Sequence, residues 1–258
     1  MNSISFLSPI LLPPPHRLQL QPNHHHHHLS SSFPPLRSLC PPQSSMDASA
    51  TPSNEGTVSV MNFEDLVQKD WSFLDSDPTN SDEQRYRIIS AGDIGENSRV
   101  LVSIPSEEFV DQLVDSAPSQ LLLVVHDSLL VLACIKEKYD KVKCWHGDLI
   151  SVPDKWTPFD VVFLYYLPAL PFQLAQIFRV LAERCLSGAR LVISYPQGRE
   201  VVEQQRQQYP DVVISDLPGR MTLEKVAADH SFEITEFVDE PALYLAVLKF
   251  CKVGTSAE

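Results

Sequence analysis

Acidic residues are missing from the first 46 positions of this 258-residue chain, which are rich in Ser, Pro, Leu and His and carry only Arg17 and Arg37 as formal cations. Such an acid-free, hydroxyl-rich leader has the composition of an organellar transit peptide of the plant chloroplast type, which predicts import to the stroma. Long apolar runs are lacking as well. The run Ile10-Leu11-Leu12 is cut by Pro13-Pro14-Pro15, which argues against a secretory signal. Nothing approaches the roughly 20 apolar residues that a transmembrane segment needs. Cysteine is sparse: Cys40 falls in the leader, and Cys134, Cys144, Cys185 and Cys251 are far apart, with no C-x-x-C pair. This excludes a zinc ribbon or a thioredoxin-type motif. The four read as buried free thiols, a redox disulfide between Cys134 and Cys144 being the alternative.

Basic clusters are also scarce. The longest is the mixed "KEKYDKVK" of residues 136–143, and losing Arg17 and Arg37 with the leader takes the formal charge from −13 to −15. A body this acidic repels phosphate backbones, so nucleic acid is not an expected partner. The run His24–His28 lies inside the leader and reads as polar low-complexity sequence, so no metal is expected. An H-E-x-x-H zincin motif, a G-x-S-x-G elbow and a Walker loop are all absent.

What is present is alternation. Residues 47–60 read as a flexible lead-in. Phe63, Leu66, Val67, Trp71 and Leu74 then recur at helical spacing, predicting an amphipathic helix that ends in the polar stretch 75–85. Residues 61–98 are thus an N-terminal helical extension. From residue 99 apolar strands alternate with helices. The expected strands are Val100–Ile104, Leu121–Val125, Val142–Trp145, Asp160–Tyr166 and Ala189–Ser194. Between them fall a helix carrying Phe109, Val110, Leu113, Val114 and Ala117, and a second running to Tyr139 with Asp127 or Ser128 as N-cap. A third spans 171–186, with Pro171 at its first position and Gly188 past its end. Fully apolar strands separated by helices make a parallel sheet covered on both faces. After a helix at 222–230, the strands Phe232–Val238 and Ala242–Phe250 are separated by Asp239-Glu240-Pro241 alone. Three residues cannot carry a parallel crossover, so this pair is antiparallel.

The turn after the first strand is Pro105-Ser106-Glu107-Glu108, without glycine. Nucleotide-binding α/β units place glycines there because side chains obstruct close approach of the backbone to the ligand. Here Ser106 is a good N-cap, and Glu107 and Glu108 set negative charge against the positive helix end. The helix terminus is satisfied by its own side chains.

The order of elements, Asp127 after strand two, Gly147-Asp148 after strand three, "FDVVFLYYLPAL" at 159–170 and "VLAERCLSGARLVIS" at 180–194 together resemble the class I S-adenosylmethionine-dependent methyltransferase superfamily. The resemblance covers residues 99–250 of a domain placed at 99–252. It implies an α/β, Rossmann-like methyltransferase fold, a mostly parallel sheet flanked by helices and closed by a C-terminal antiparallel hairpin. It also implies S-adenosylmethionine as cofactor, with Asp127 at the ribose hydroxyls and Asp148 at the adenine amino group. Ser103 takes the place of the acid that ends strand one, and Pro105, Glu107 and Phe109 take those of three glycines. In this setting Glu107 can attract a cationic cofactor, and Tyr165 and Tyr166 stand where substrate-facing residues are found. From the residues alone, Asp127 reads equally as a cap, Asp148 as a turn residue, and the two tyrosines as core. "YLP" is not the N-P-P-Y signature of amino-group methylation, and His146 beside Asp148 reads as structural. Two functions follow: a non-catalytic plastid binding or assembly module with a protein partner, or an active methyltransferase with an atypical cofactor loop and a small-molecule substrate.

Overall fold

The computed structural model describes residues 69–75 and 81–251. The leader, the histidine run and most of the helix expected from residue 63 lie outside these residues. Seven strands form one sheet: β1 (Arg99–Ser103), β2 (Leu121–His126), β3 (Lys143–His146), β4 (Phe159–Leu164), β5 (Cys185–Tyr195), β6 (Phe232–Glu240) and β7 (Leu243–Phe250). Their order across the sheet is β3-β2-β1-β4-β5-β7-β6. Neighbours from β3 to β5 pair parallel, whereas β7 runs antiparallel to both β5 and β6. The hairpin therefore closes the sheet as its short connection requires. Its last strand slots between β5 and β6, because the helical crossover after β5 leaves a one-strand gap.

Six α-helices are described: α1 (Ser81–Ala91), α2 (Glu107–Ser116), α3 (Leu129–Lys138), α4 (Leu174–Arg184), α5 (Gly198–Gln208) and α6 (Arg220–Asp229). The core lies on both faces of the sheet. Leu123, Val124, Val162, Phe163, Leu191 and Val192 are wholly buried, as are Phe109 on α2 and Phe178 on α4. Continuous apolar strands follow from this double coverage.

Three local expectations change. Residues 72–75 form a single 3-10 turn, and the stretch read as a polar terminator, 75–85, contains the first five residues of α1. That helix carries Asp82 and Glu83 in its first turn and buries Ile88 and Ile89 only near its end, so its apolar periodicity is faint. The third expected helix is shorter at both ends: it begins at Leu174, with Pro171 outside it, and it stops where Cys185 pairs with Phe159 in the sheet. Gly188, at φ +89°, lies inside β5 and serves an irregularity in that pairing instead of a helix end. Finally, α5 forms from a polar segment that showed no pattern. It buries Val202 and Gln205, and its Gly198 sits at φ +74° with no room for a Cβ, which would fall 2.5 Å from the Pro241 carbonyl oxygen.

Candidate functional site

In open α/β sheets the ligand crevice lies beyond the carboxyl ends of the strands, where the strand order reverses. Here that point is between β1 and β4. At the end of β1, Ser103 is buried, and Ile104 turns the chain at φ +53°. A β-branched residue in the left-handed region is a strained substitute for glycine, at a cost of about 1–3 kcal/mol. The turn is held by Ile104 N–H donating to the Val125 carbonyl at 2.9 Å. Ser106 Oγ then accepts the Phe109 N–H at 3.2 Å and caps α2. Glu107 faces α3, where Lys138 bridges it at 3.2 Å and Asp111 at 3.1 Å. Side-chain hydrogen bonds donated to these two carboxylates, Asp111 first and then Glu107, hold the Lys138 ammonium above the usual lysine range. Tyr165 is in the core with its ring 4.4 Å from Phe109, and burial pushes its phenol up. Asp148 is exposed, following Gly147 at φ +126°.

Asp127 caps nothing. Ser128 does so, its Oγ accepting the Val131 N–H at 3.3 Å. The Asp127 carboxylate instead meets Lys69 Nζ at 2.7 Å. Lys69 begins a strap, residues 69–75, that crosses the mouth of the crevice. Trp71 packs edge-on against His126 at the end of β2, with ring centroids 4.7 Å apart. Two residues on, Phe73 lies 5.3 Å from Tyr166, just beyond β4, and 4.8 Å from Tyr209. Because β1 lies between β2 and β4, a segment reaching from Asp127 to Tyr166 must pass over the end of β1. Trp71, Phe73 and Leu74 are all buried there, at 6%, 4% and 7% exposure.

The energetics of the strap are finely balanced. Burying its three large apolar side chains contributes about 5–9 kcal/mol. Its aromatic contacts add about 0.5–1.5 kcal/mol each. The Lys69–Asp127 pair, with side chains 37% and 43% exposed, adds at most about 1 kcal/mol. Against this, ordering seven residues costs about 7–14 kcal/mol of backbone entropy. The terms cancel to within a few kcal/mol.

Beneath the strap, His126 is fully buried and its Nδ1 accepts the Ser128 N–H at 2.8 Å. The proton therefore sits on Nε2, which has no hydrogen-bond partner, as is also true of Ser103 Oγ. Desolvation holds His126 down at about 4, with Asp127 opposing the shift and His146 adding to it. A chain of hydrogen bonds, buried except at its Gln197 end, runs from Tyr166. Tyr166 OH donates to Gln205 Oε1 at 2.8 Å, Gln205 Nε2 to Tyr195 OH at 2.6 Å, and Tyr195 OH to Gln197 Oε1 at 3.0 Å. A separate cavity of about 370 Å³ lies between the start of α4 and the loop before α6, lined by Phe172, Leu174, Leu217 and Thr222 among others. No group of His, Cys, Asp and Glu among the described residues could hold a metal ion.

Of the residues singled out from sequence, Ser103 and Asp127 thus border one crevice. Asp148 follows the neighbouring strand end, while Glu107 and Tyr165 are engaged elsewhere. Lys69, Trp71, Phe73, Ile104 and His126 were not singled out as site residues. The closely spaced rings of Trp71 and Phe73, with Leu74, were the available signal that this stretch is buried. As arranged, these residues do not make a seat for a nucleotide cofactor. The acid placed for ribose is paired, the loop has side chains where close approach is needed, and indole and phenyl rings cover the switch point.

This strand order with its reversed last strand is that of the class I methyltransferase fold. The candidate methyltransferase in complex with the Haloferax volcanii Trm112 methyltransferase activator is similar at a TM-score of 0.54 and 11% identity, over 67% of this chain and 91% of the other. Geranyl diphosphate C-methyltransferase from Streptomyces coelicolor A3(2), in complex with S-adenosyl-L-homocysteine, is similar at 0.53 and 10%, over 67% and 80%. The N-methyltransferase NodS of Bradyrhizobium japonicum WM9 is similar at 0.50 and 11%, over 66% and 96%. No protein-family model and no curated protein matches the sequence. The chain has the methyltransferase fold, and likeness at this identity speaks for the fold alone.

Proposed function

We propose that this methyltransferase-fold protein works in the plastid stroma as a non-catalytic binding or assembly module. The observation that carries the reading is the strap, whose Lys69 is on Asp127 while Trp71 and Phe73 cover the strand ends. The glycine-free turn at Ile104-Pro105-Ser106 and the self-capped start of α2 support it from the other side of the crevice. S-adenosyl-L-homocysteine is held by the Streptomyces neighbour; in this chain the corresponding acid and strand ends serve internal contacts. A methyltransferase-fold chain paired with a protein companion has a parallel in the Trm112 complex. Calorimetric titration of the full chain with S-adenosylmethionine tests the reading and is expected to show no saturable heat. Binding together with methyl transfer to any acceptor would overturn it. A fluorescent fusion carrying residues 1–46 tests the compartment, and cytosolic retention would refute it.

A further inference from the structure

The strap is a linear segment seated in a groove, and its own contacts show which chemistry the groove accepts. A cation meets the Asp127 carboxylate at 2.7 Å. Two residues later an indole lies against His126, and two residues after that a phenyl ring fits between Tyr166 and Tyr209. Although Phe73 lies in the 3-10 turn at 72–75, Lys69, Trp71 and Phe73 all make their contacts with this crevice, so the three anchors form one recognition face. From this geometry we infer that the crevice is a peptide-binding groove, whose partner is a protein presenting a cation-x-aromatic-x-aromatic segment in place of the strap. The inference rests on the reading of the crevice as closed to cofactor, and names the partner class of that same site.

Three observations make the strap displaceable instead of a permanent part of the core. Its ion pair is half-exposed, so water competes for both charges. The Nε2–H of His126, against which Trp71 packs, is buried without a partner, as is the Ser103 hydroxyl at the end of β1, and orphaned polar groups in a native interior ask for an explanation beyond packing. Ile104, directly after Ser103, holds a left-handed backbone, and strain of this kind concentrates at binding clamps and switch regions. A permanent core has no use for these features together, whereas a groove that exchanges its occupant does. Charge favours the same partner. The chain carries a formal charge of −13, and the fixed charge at the groove's end is Asp127, so a basic segment is steered toward it.

The test uses a synthetic peptide of residues 69–74, Lys-Asp-Trp-Ser-Phe-Leu, and the full chain with Trp71→Ala and Phe73→Ala, which removes the resident rings. Saturable binding is expected, at least about ten-fold tighter than to the wild type, where the strap competes in cis. Replacing the peptide's lysine by glutamate is expected to weaken binding at least about five-fold, and Asp127→Lys in the host to restore it. The full chain with Lys69→Glu alone leaves the apolar contacts intact, guards against misfolding of the double variant, and is expected to bind the original peptide more tightly than wild type. No binding to either host, each melting cooperatively, would overturn the inference, as would indifference to the charge swap. A wild-type dimer that dissociates on Trp71→Ala would also overturn it, assigning the groove to a second copy. Binding of S-adenosylmethionine by the wild type would instead refute the closed-crevice reading, a result separable from the peptide measurements.

Discussion

Acid is expected to weaken this protein through His126. The side chain is fully buried, and desolvation depresses it from 6.5 to about 4 in the folded chain. The unfolded chain therefore takes up the proton first. Stability associated with the neutral ring is fully present above about pH 6.5 and is lost as pH falls toward about 4. A difference of about 2.5 pH units corresponds to about 3 kcal/mol from this one residue, a large part of the roughly 5–15 kcal/mol that holds a domain together. Carboxylates titrate in the same window, so the wild type alone cannot isolate the effect. His126→Asn supplies the control, since its amide oxygen can accept the Ser128 N–H that Nδ1 accepts now. Urea denaturation of both proteins between about pH 7 and pH 4 should show the wild type losing about 3 kcal/mol more than the variant. A gap that stays flat across this range would refute the reasoning. So would a folded-state imidazole resonance of His126 titrating near its ordinary value.

Two further outcomes are accessible by denaturation. Ser106→Ala removes the cap on α2 and should cost about 0.5–2 kcal/mol; no loss would mean that the α2 terminus is satisfied from elsewhere. Gly198→Ala forces a Cβ to within 2.5 Å of the Pro241 carbonyl oxygen at φ +74°. Left-handed strain and overpacking together should cost about 2–4 kcal/mol, and a neutral result would show that the turn between β6 and β7 yields.

Much of the fold was legible because its signals are local. The apolar blocks Leu121–Val125 and Asp160–Tyr166 can be stable only between two layers, and Asp239-Glu240-Pro241 leaves the last two strands no geometry but antiparallel. The same holds for Ser106, whose capping role needs only the three residues that follow it. Faint signals failed where burial is confined to one end of an element, as in α1, or where a polar helix buries a glutamine, as in α5 at Gln205. Gly188 misled because a positive φ serves a strand irregularity as readily as a helix end.

Asp127 shows where sequence reasoning stops. Its place after strand two was readable, and so was its eligibility as a ligand or a cap, because both follow from neighbours in the chain. Its actual partner, Lys69, lies far earlier in sequence and meets it only because the strap crosses the sheet. The buried state of His126 was likewise invisible, since one of the rings packed on it, that of Trp71, arrives from another part of the chain. Sequence by itself determined the layers, the strand directions and the loss of the glycine turn, all consequences of short-range sterics and periodicity. Tertiary structure alone decided what fills the crevice, because only folding brings a cation and two rings over the ends of β2, β1 and β4.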